Sequence, residues 1–282
     1  MKGLVFDFGG PVLLTPFEVR SVGERNLGLP AGSLAWTGPF APDADEEWQA
    51  FQAGRMNERD YWAIQAQRFS ELTGLPADMP SMMAPLYAGD EDELLRPAAV
   101  ALIHDAKAAG IRVGIHTNDL TSFHDREWLD KMTILREFEV MVDGRTDGVY
   151  KPDREAFDLM VQRMEMDATE IVFIDDQPVN IRGAEEVGMQ CVLLDPTDPT
   201  PAYTRARILL DLPIDRASSA GSDSPAVRGP LSINRKPQPT LGPMSRAKTT
   251  VPSPTVPPSS QPRINTETSI PRRTRATGMP NR

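Results

Sequence analysis

The sequence has a single cysteine, Cys191, among its 282 residues, which excludes an intrachain disulfide. It also lacks any run of about 20 apolar residues, the length that a membrane-spanning helix needs. The early residues do not form a charged-then-apolar secretory signal, because Asp7 interrupts their apolar run. From these absences we expect a cytoplasmic protein of a reducing compartment, with no membrane partner.

Aromatic residues are missing from positions 216–282, which hold twelve prolines and many Ser, Thr and Arg residues. Such a segment buries too little apolar surface to offset the entropy of ordering, so residues 213–282 are predicted to form a disordered Pro/Ser/Arg-rich tail. Eleven basic and two acidic residues give positions 216–282 a net charge of +9, against a formal total of -10 for the chain. The remaining body is therefore strongly acidic, which argues against a core that binds nucleic acid. The partner of the tail is left open.

The first fourteen residues organise the rest of the chain. A short apolar run, residues 4–6, leads into Asp7, and Gly9 and Gly10 follow before a second apolar run. An apolar run closed by glycines is typical of a buried strand in a parallel sheet. Asp7 is thus expected at the carboxyl end of that strand, where open α/β sheets bind their ligands.

Strands and helices alternate from residue 93 onward. A helix opening at Arg96-Pro97 precedes the first of four further strands, and a helix opening at Lys151-Pro152 precedes the third. This alternation predicts an α/β fold, a Rossmann-like parallel sheet with helices on both faces, built from residues 1–15 and 93–212. The predicted strands are 111–116, 140–142, 171–174 and 191–194.

Residues 16–92 have a different pattern. Apolar residues recur there at three- and four-residue spacings, so this segment is predicted to be a small all-helical cap inserted after the first strand. Gly54 and Asn57 divide its central region into two helices, the second opening at Glu58. Its aromatic residues are expected mainly to form its own core, with one or two facing the site.

Polar residues follow three of the predicted strands: Asp7, Thr117-Asn118 and Asp175-Asp176, with Lys151 near the same edge. A carboxylate nucleophile, a hydroxyl and amide pair, an ammonium group and an acidic pair form a set suited to phosphoryl transfer. Mg²⁺ held by carboxylate and carbonyl oxygens would neutralise and orient the phosphate.

Four motifs follow one another along the chain: DFGGP (7–11), HTN (116–118), YKPD (150–153) and IDDQPVN (174–180). Their order resembles that of the haloacid dehalogenase-like hydrolases, over about residues 3–196. Residues 96–119 and 180–195 are similar to one branch of that family, which includes the N-terminal phosphatase domain of soluble epoxide hydrolases and bacterial sugar-1-phosphate phosphatases.

The resemblance implies a role for each matching residue. Asp7 would be the nucleophile and a metal ligand, and the backbone carbonyl of Gly9 a second ligand. Thr117 and Asn118 would bind the phosphate, and Lys151 would brace both the nucleophile and the phosphate. Asp176 would bind the metal directly, with Asp175 beside it. The family thus implies a Mg²⁺-dependent phosphatase of a small phosphorylated metabolite.

Gly9 departs from the family pattern, in which phosphatases carry a second Asp there as general acid and base. Loss of a proton donor costs about 10²- to 10⁴-fold in rate, so substrates with easy leaving groups should suffer least. Gly9 also leaves open a catalytically weak or inactive member that binds Mg²⁺ and phosphate in a regulatory role. A third reading, a 2-haloacid dehalogenase, is disfavoured by Asp175 and Asp176, because the family's dehalogenases need no metal.

The histidines lack metal-ligand spacing. By strand alternation His116 is expected to pack beneath the site. His124 could supply the proton that Gly9 cannot, although an ordinary surface histidine is the simpler interpretation.

Overall fold

The computed structural model describes residues 2–214. Five strands form one sheet, all of them parallel, in the order β3-β2-β1-β4-β5. The predicted tail lies outside the described residues, apart from its first two positions. The strands are β1 (Gly3–Phe6), β2 (Arg112–Thr117), β3 (Val140–Asp143), β4 (Ile171–Asp175) and β5 (Gln190–Leu193).

Twelve α-helices occur within the described residues, with short 3₁₀ turns at Gly38–Phe40, Pro42–Ala44, Thr133–Glu137 and Ala168–Glu170. None of these helices is long and apolar enough to cross a membrane. The helices are α1 (Arg20–Asn26), α2 (Glu46–Gln52), α3 (Glu58–Thr73), α4 (Met79–Leu86), α5 (Glu91–Leu94), α6 (Pro97–Ala108), α7 (Leu120–Phe123), α8 (Arg126–Lys131), α9 (Gly144–Asp147), α10 (Arg154–Met164), α11 (Pro178–Val187) and α12 (Thr200–Leu209).

The sheet is buried on both faces, which confirms the predicted α/β architecture. Leu4 and Phe6 of β1 belong to a core shared with α6 and α12, whereas Val5 points to a second core shared with α10 and α11. The alternation follows from the two-residue side-chain period of a strand. β1 is the central strand, so Asp7 lies level with the ends of β2 and β4 on either side.

Every element between β1 and α6 is helical. The predicted break at Gly54 and Asn57 is confirmed, because α2 ends at Gln52 and α3 begins at Glu58, with Asn57 accepting a hydrogen bond from the Asp60 backbone N–H at 2.8 Å. We call residues 16–92 the helical insertion. Its role as a separate cap domain stays a prediction.

Two expectations for the second half of the chain need correction. Lys151 does not open a helix: it lies in a turn, and α10 begins at Arg154. A residue before proline is disfavoured in the helical conformation, which explains the delay. Sequence analysis also missed α12, whose Tyr203 hydroxyl donates to the Pro11 carbonyl at 2.7 Å and ties this helix to the loop after β1.

His116 packs beneath the sheet edge, as predicted, and is 0% exposed. Its ring meets Phe157 edge-on at 5.0 Å between centroids, and neither ring nitrogen has a hydrogen-bond partner among the described residues. Burial, with a smaller contribution from the charge of Lys151, lowers the pKa of His116 well below its ordinary value. His116 is therefore neutral in the folded protein.

We expect this buried histidine to make folding sensitive to acid. The unfolded chain binds a proton at His116 below about pH 6.5, so its stabilising contribution is present above that pH and falls by about 1.4 kcal/mol per unit below it. Urea unfolding at pH 7.5 and pH 5 should show the wild type losing about 2 kcal/mol more than His116→Phe. Equal losses in the two proteins would contradict this account.

Candidate active site

Asp7 lies at the centre of the sheet edge. Its backbone N–H donates to the Ile174 carbonyl at 2.8 Å, which fixes the residue at the end of β1. Its Oδ1 lies 3.1 Å from the Nζ of Lys151. The carboxylate is therefore held in place and remains partly open to the pocket.

Asp175, the last residue of β4, is buried behind Asp7 and fully hydrogen-bonded. It accepts hydrogen bonds from Lys151 Nζ at 2.6 Å and from the Gln177 backbone N–H at 2.8 Å. Both of its carboxylate oxygens also accept from Asn180 Nδ2, each at 3.1 Å. These contacts fix the orientation of Asp175 and, through it, the ammonium of Lys151.

Asp176 lines the pocket next to Gly10. Gly10 has φ +94°, and a Cβ added there would lie 2.6 Å from Asp176 Oδ2. Only glycine fits both the backbone conformation and the close approach. The second glycine of the predicted pair thus makes room for the acidic side chain.

Thr117, at the end of β2, and Asn118 bring a hydroxyl and an amide to the same pocket. The Asn118 Nδ2 donates to the Lys151 carbonyl at 2.9 Å, and its Oδ1 accepts from the Lys151 backbone N–H at 2.8 Å. The side chain of Asn118 therefore positions Lys151. Asn118 itself lines the pocket.

The site is crowded with negative charge. Oxygens of Asp7, Asp175 and Asp176 lie within 4.8 Å of one another, beside the one ammonium of Lys151. Burial raises the pKa of Asp7 to about 7; the charge of Lys151 opposes this shift and the charge of Asp175 adds to it. Burial and the neighbouring carboxylates also raise the pKa of Asp176 well above its ordinary value. Although burial opposes it, the charges of Asp175 and Asp7 raise the pKa of Lys151. Three carboxylates with one cation form a donor set that fits a hard divalent ion.

The structure brings the residues predicted from the sequence together. All of them line one pocket except Asp175, which lies directly behind it. Sequence analysis assigned no role to Asn180 or Glu58, which also line this pocket. Asn180 stands in the quoted motif, five residues after Asp175, and that spacing was the available signal. Nothing in the sequence marked Glu58 beyond its position at the start of a predicted helix.

His124 is not a surface residue. Its ring stacks on Trp128 at 3.8 Å between centroids and meets Tyr87 edge-on at 5.1 Å. Burial lowers the pKa of His124 to about 4, so the ring is neutral near pH 7. It therefore lacks the acidic imidazolium proton that a general acid would donate at that pH.

The wall opposite the acidic residues is apolar. The pocket has a volume of about 170 Å³ and contains several aromatic rings of the helical insertion. The Phe17 ring lies 5.2 Å from both Trp48 and Trp62, so the rings hold one another in position. The aromatic residues of this wall are Phe17, Trp48, Phe51, Tyr61, Trp62 and Tyr87.

The chain is similar to known proteins. The sesquiterpene phosphatase astK of Aspergillus oryzae is 26% identical over 193 residues, covering 67% of this chain and 87% of that protein. The acyl-CoA dehydrogenase family member 10 of Mus musculus is 24% identical over 216 residues, 76% of this chain, but this chain spans only 19% of that protein's length.

A solved structure shares the fold. The HAD hydrolase YfnB of Bacillus subtilis, bound to magnesium, superposes with a TM-score of 0.52 at 20% identity, over 75% of this chain and 99% of that chain. The family model of the haloacid dehalogenase-like hydrolases matches residues 1–188. With two thirds of its length matched, this chain is a hydrolase that belongs to the haloacid dehalogenase-like family.

Proposed function

We propose that this hydrolase is a Mg²⁺-dependent phosphatase that acts on a small phosphorylated metabolite through an aspartyl-phosphate on Asp7. The contact that carries the proposal is that of Asp7 Oδ1 with Lys151 Nζ, 3.1 Å apart on the wall of the pocket. A carboxylate so held can attack phosphorus, and the ammonium beside it can balance the phosphate charge. The phosphatase named among the relatives supports the same reaction class.

Each residue of the site has a place in this reaction. The Asp7 carboxylate attacks phosphorus, the bond to the leaving-group oxygen breaks, and water then hydrolyses the acyl phosphate to regenerate Asp7. The Thr117 hydroxyl and the Asn118 backbone bind the phosphate oxygens. Lys151, positioned by Asn118 and Asp175, holds Asp7 in line.

The donor set fits Mg²⁺, because three crowded carboxylates share one ammonium group. Asp7, Asp176 and the backbone carbonyl of Gly9 would hold the ion, with Asp175 beside them. When bound, Mg²⁺ would neutralise the phosphate oxygens and offset the mutual repulsion of the carboxylates.

The experiment that tests this function measures inorganic phosphate released from aryl, sugar-1- and alkyl phosphates, with Mg²⁺ or with EDTA. We expect release that requires Mg²⁺. If no substrate releases phosphate, the phosphatase proposal fails and the phosphate-binding alternative, which Gly9 favours, takes its place. Chloride release from 2-haloacids in EDTA would instead favour the dehalogenase.

The aromatic wall further indicates that the organic part of the substrate is apolar. The pocket of about 170 Å³ holds the phosphate as well as the organic group, so the organic group is expected to be no larger than one aromatic ring, since an engineered apolar cavity of about 150 Å³ binds benzene. Burying one methylene group contributes about 0.8 kcal/mol.

A series of n-alkyl phosphates tests this specificity, because its members share the same leaving-group chemistry. We expect kcat/KM to rise about fourfold per added methylene until the cavity is filled. Trp48→Ala should flatten this dependence while leaving methyl phosphate turnover unchanged. A preference for hydroxylated sugar phosphates over alkyl phosphates of similar size would contradict an apolar subsite.

A further inference from the structure

Gly9 leaves the pocket without a proton donor at the position where related phosphatases have one. A Cβ added at Gly9 would meet no atom within 4 Å, so the space beside Asp7 is open. The leaving-group oxygen needs a proton when the substrate is not activated. The donor must then come from elsewhere on the pocket wall.

The pocket offers few alternatives. His124 is neutral near pH 7, as described above, and the Tyr61 and Tyr87 hydroxyls donate to Asp45 and to the Leu14 carbonyl, at 2.8 and 2.7 Å. Asp119 pairs with Arg59, 3.8 Å away.

Asp7, Lys151 and Asp176 already have roles in the proposed reaction. Among the carboxyl groups that line the described pocket, Glu58 alone then has neither an ion-pair partner nor an assigned function.

Glu58 is the first residue of α3, and neighbouring contacts hold this end of the helix over the site. Arg59, the next residue, reaches Asp119 at 3.8 Å and lies 6.0 Å from the centre of the Tyr150 ring. Asp119 and Tyr150 adjoin Asn118 and Lys151 in the chain. The helical insertion is therefore anchored to the two loops that carry the phosphate-binding groups.

Glu58 is exposed to solvent, so its carboxyl can exchange protons with water. Desolvation by the neighbouring protein raises the pKa of Glu58, a hydrogen bond from Trp62 lowers it, and the charges of Asp175 and Asp119 raise it again. A carboxyl with a raised pKa holds a proton closer to neutral pH, as a general acid requires.

We propose that Glu58 is the general acid and base of this enzyme, a catalytic residue supplied by the helical insertion in place of the side chain missing at Gly9. This inference rests on the proposed phosphatase function.

Glu58 has a part in each half of the reaction. As the bond between phosphorus and the leaving group breaks, the leaving oxygen takes the Glu58 proton. When water attacks the phosphorus of the aspartyl-phosphate, the ionised Glu58 takes a proton from that water and the bond to Asp7 breaks. One turnover therefore restores both carboxyl groups.

Glu58→Gln tests the proposal through the leaving group. The value of kcat/KM reports the steps up to cleavage of the bond to the leaving group. The loss of kcat/KM in Glu58→Gln should therefore be larger for a leaving group that needs a proton than for one that leaves as a stable anion. We expect a fall of about 10²- to 10⁴-fold for n-butyl phosphate and a change of less than about threefold for 4-nitrophenyl phosphate. Asp60→Asn removes an exposed carboxylate, which accepts a hydrogen bond from Asn57 Nδ2 at 2.8 Å, from the same helical turn. It is the matched control and is expected to change neither value.

A second substitution tests the same idea by rescue. Gly9 has open space and no left-handed φ, so Gly9→Asp can be accommodated. In the Glu58→Gln background, Gly9→Asp should restore n-butyl phosphate turnover at least tenfold. A purely structural role for Glu58 predicts instead that Gly9→Asp changes turnover by the same factor in the wild type and in Glu58→Gln.

The outcomes separate this inference from the function on which it rests. Equal losses on both substrates, or no loss on either, would overturn the role of Glu58 while Asp7-dependent phosphate release kept the phosphatase proposal intact. If the wild type releases no phosphate from any substrate, both proposals fail.

Discussion

Asp7→Asn should abolish phosphate release while leaving the protein folded. An amide cannot form the acyl phosphate, and loss of a nucleophile elsewhere costs on the order of 10⁶-fold in kcat, so we expect at least about 10⁴-fold here. Stability should not fall, because the substitution removes one of three like charges that surround Lys151. Steady-state phosphate release and thermal unfolding in EDTA measure the two effects.

Two results would count against Asp7 as the nucleophile. The first is that Asp7→Asn retains more than about one hundredth of the wild-type rate, and the second is that the variant loses its activity only because it has unfolded. A melting temperature equal to or above that of the wild type excludes the second explanation.

Lys151→Met should combine a large loss of activity with a large loss of stability. Lys151 is 4% exposed and pairs with Asp175 at 2.6 Å and Asp7 at 3.1 Å. Removing it leaves buried carboxylates without their cation, which costs about 3 to 5 kcal/mol in free energy of unfolding. Phosphate release should fall by at least about 10²-fold, because the charge on the transferring phosphate loses its stabilising group.

Lys107→Met is the matched control for this prediction. Lys107 pairs with Glu137 at 2.6 Å, but both side chains are about one-third exposed, so the loss should stay within about 1 kcal/mol. Urea unfolding in EDTA compares the two variants. Similar costs for both would mean that the buried ammonium does not hold the carboxylates together.

The central part of the site could be predicted because it follows from strand order. Asp7, Thr117 and Asp175 each end a run of apolar residues, and the carboxyl ends of neighbouring parallel strands meet at one edge. The position of Lys151 near this edge was also predicted from the sequence. Its turn conformation was not, because the effect of Pro152 on the preceding residue outweighed the expected helix start.

Residues from the helical insertion and from irregular segments were harder to foresee. Glu58 lines the site at the start of α3, where the neighbouring Arg59 lies 3.8 Å from Asp119, a residue far away in the chain. His124 follows the short helix α7, and its burial depends on Trp128 and Tyr87. Local periodicity does not encode such contacts, since tertiary packing decides them.

The most direct test of the account is to trap the covalent intermediate. Full-length enzyme would be mixed with 4-nitrophenyl phosphate and Mg²⁺, quenched in acid within one turnover, digested and analysed by mass spectrometry. We predict one phosphoryl group on the peptide that contains Asp7, and none in Asp7→Asn. Phosphate release without a phosphoryl group on Asp7, or with that group on another residue, would contradict the account.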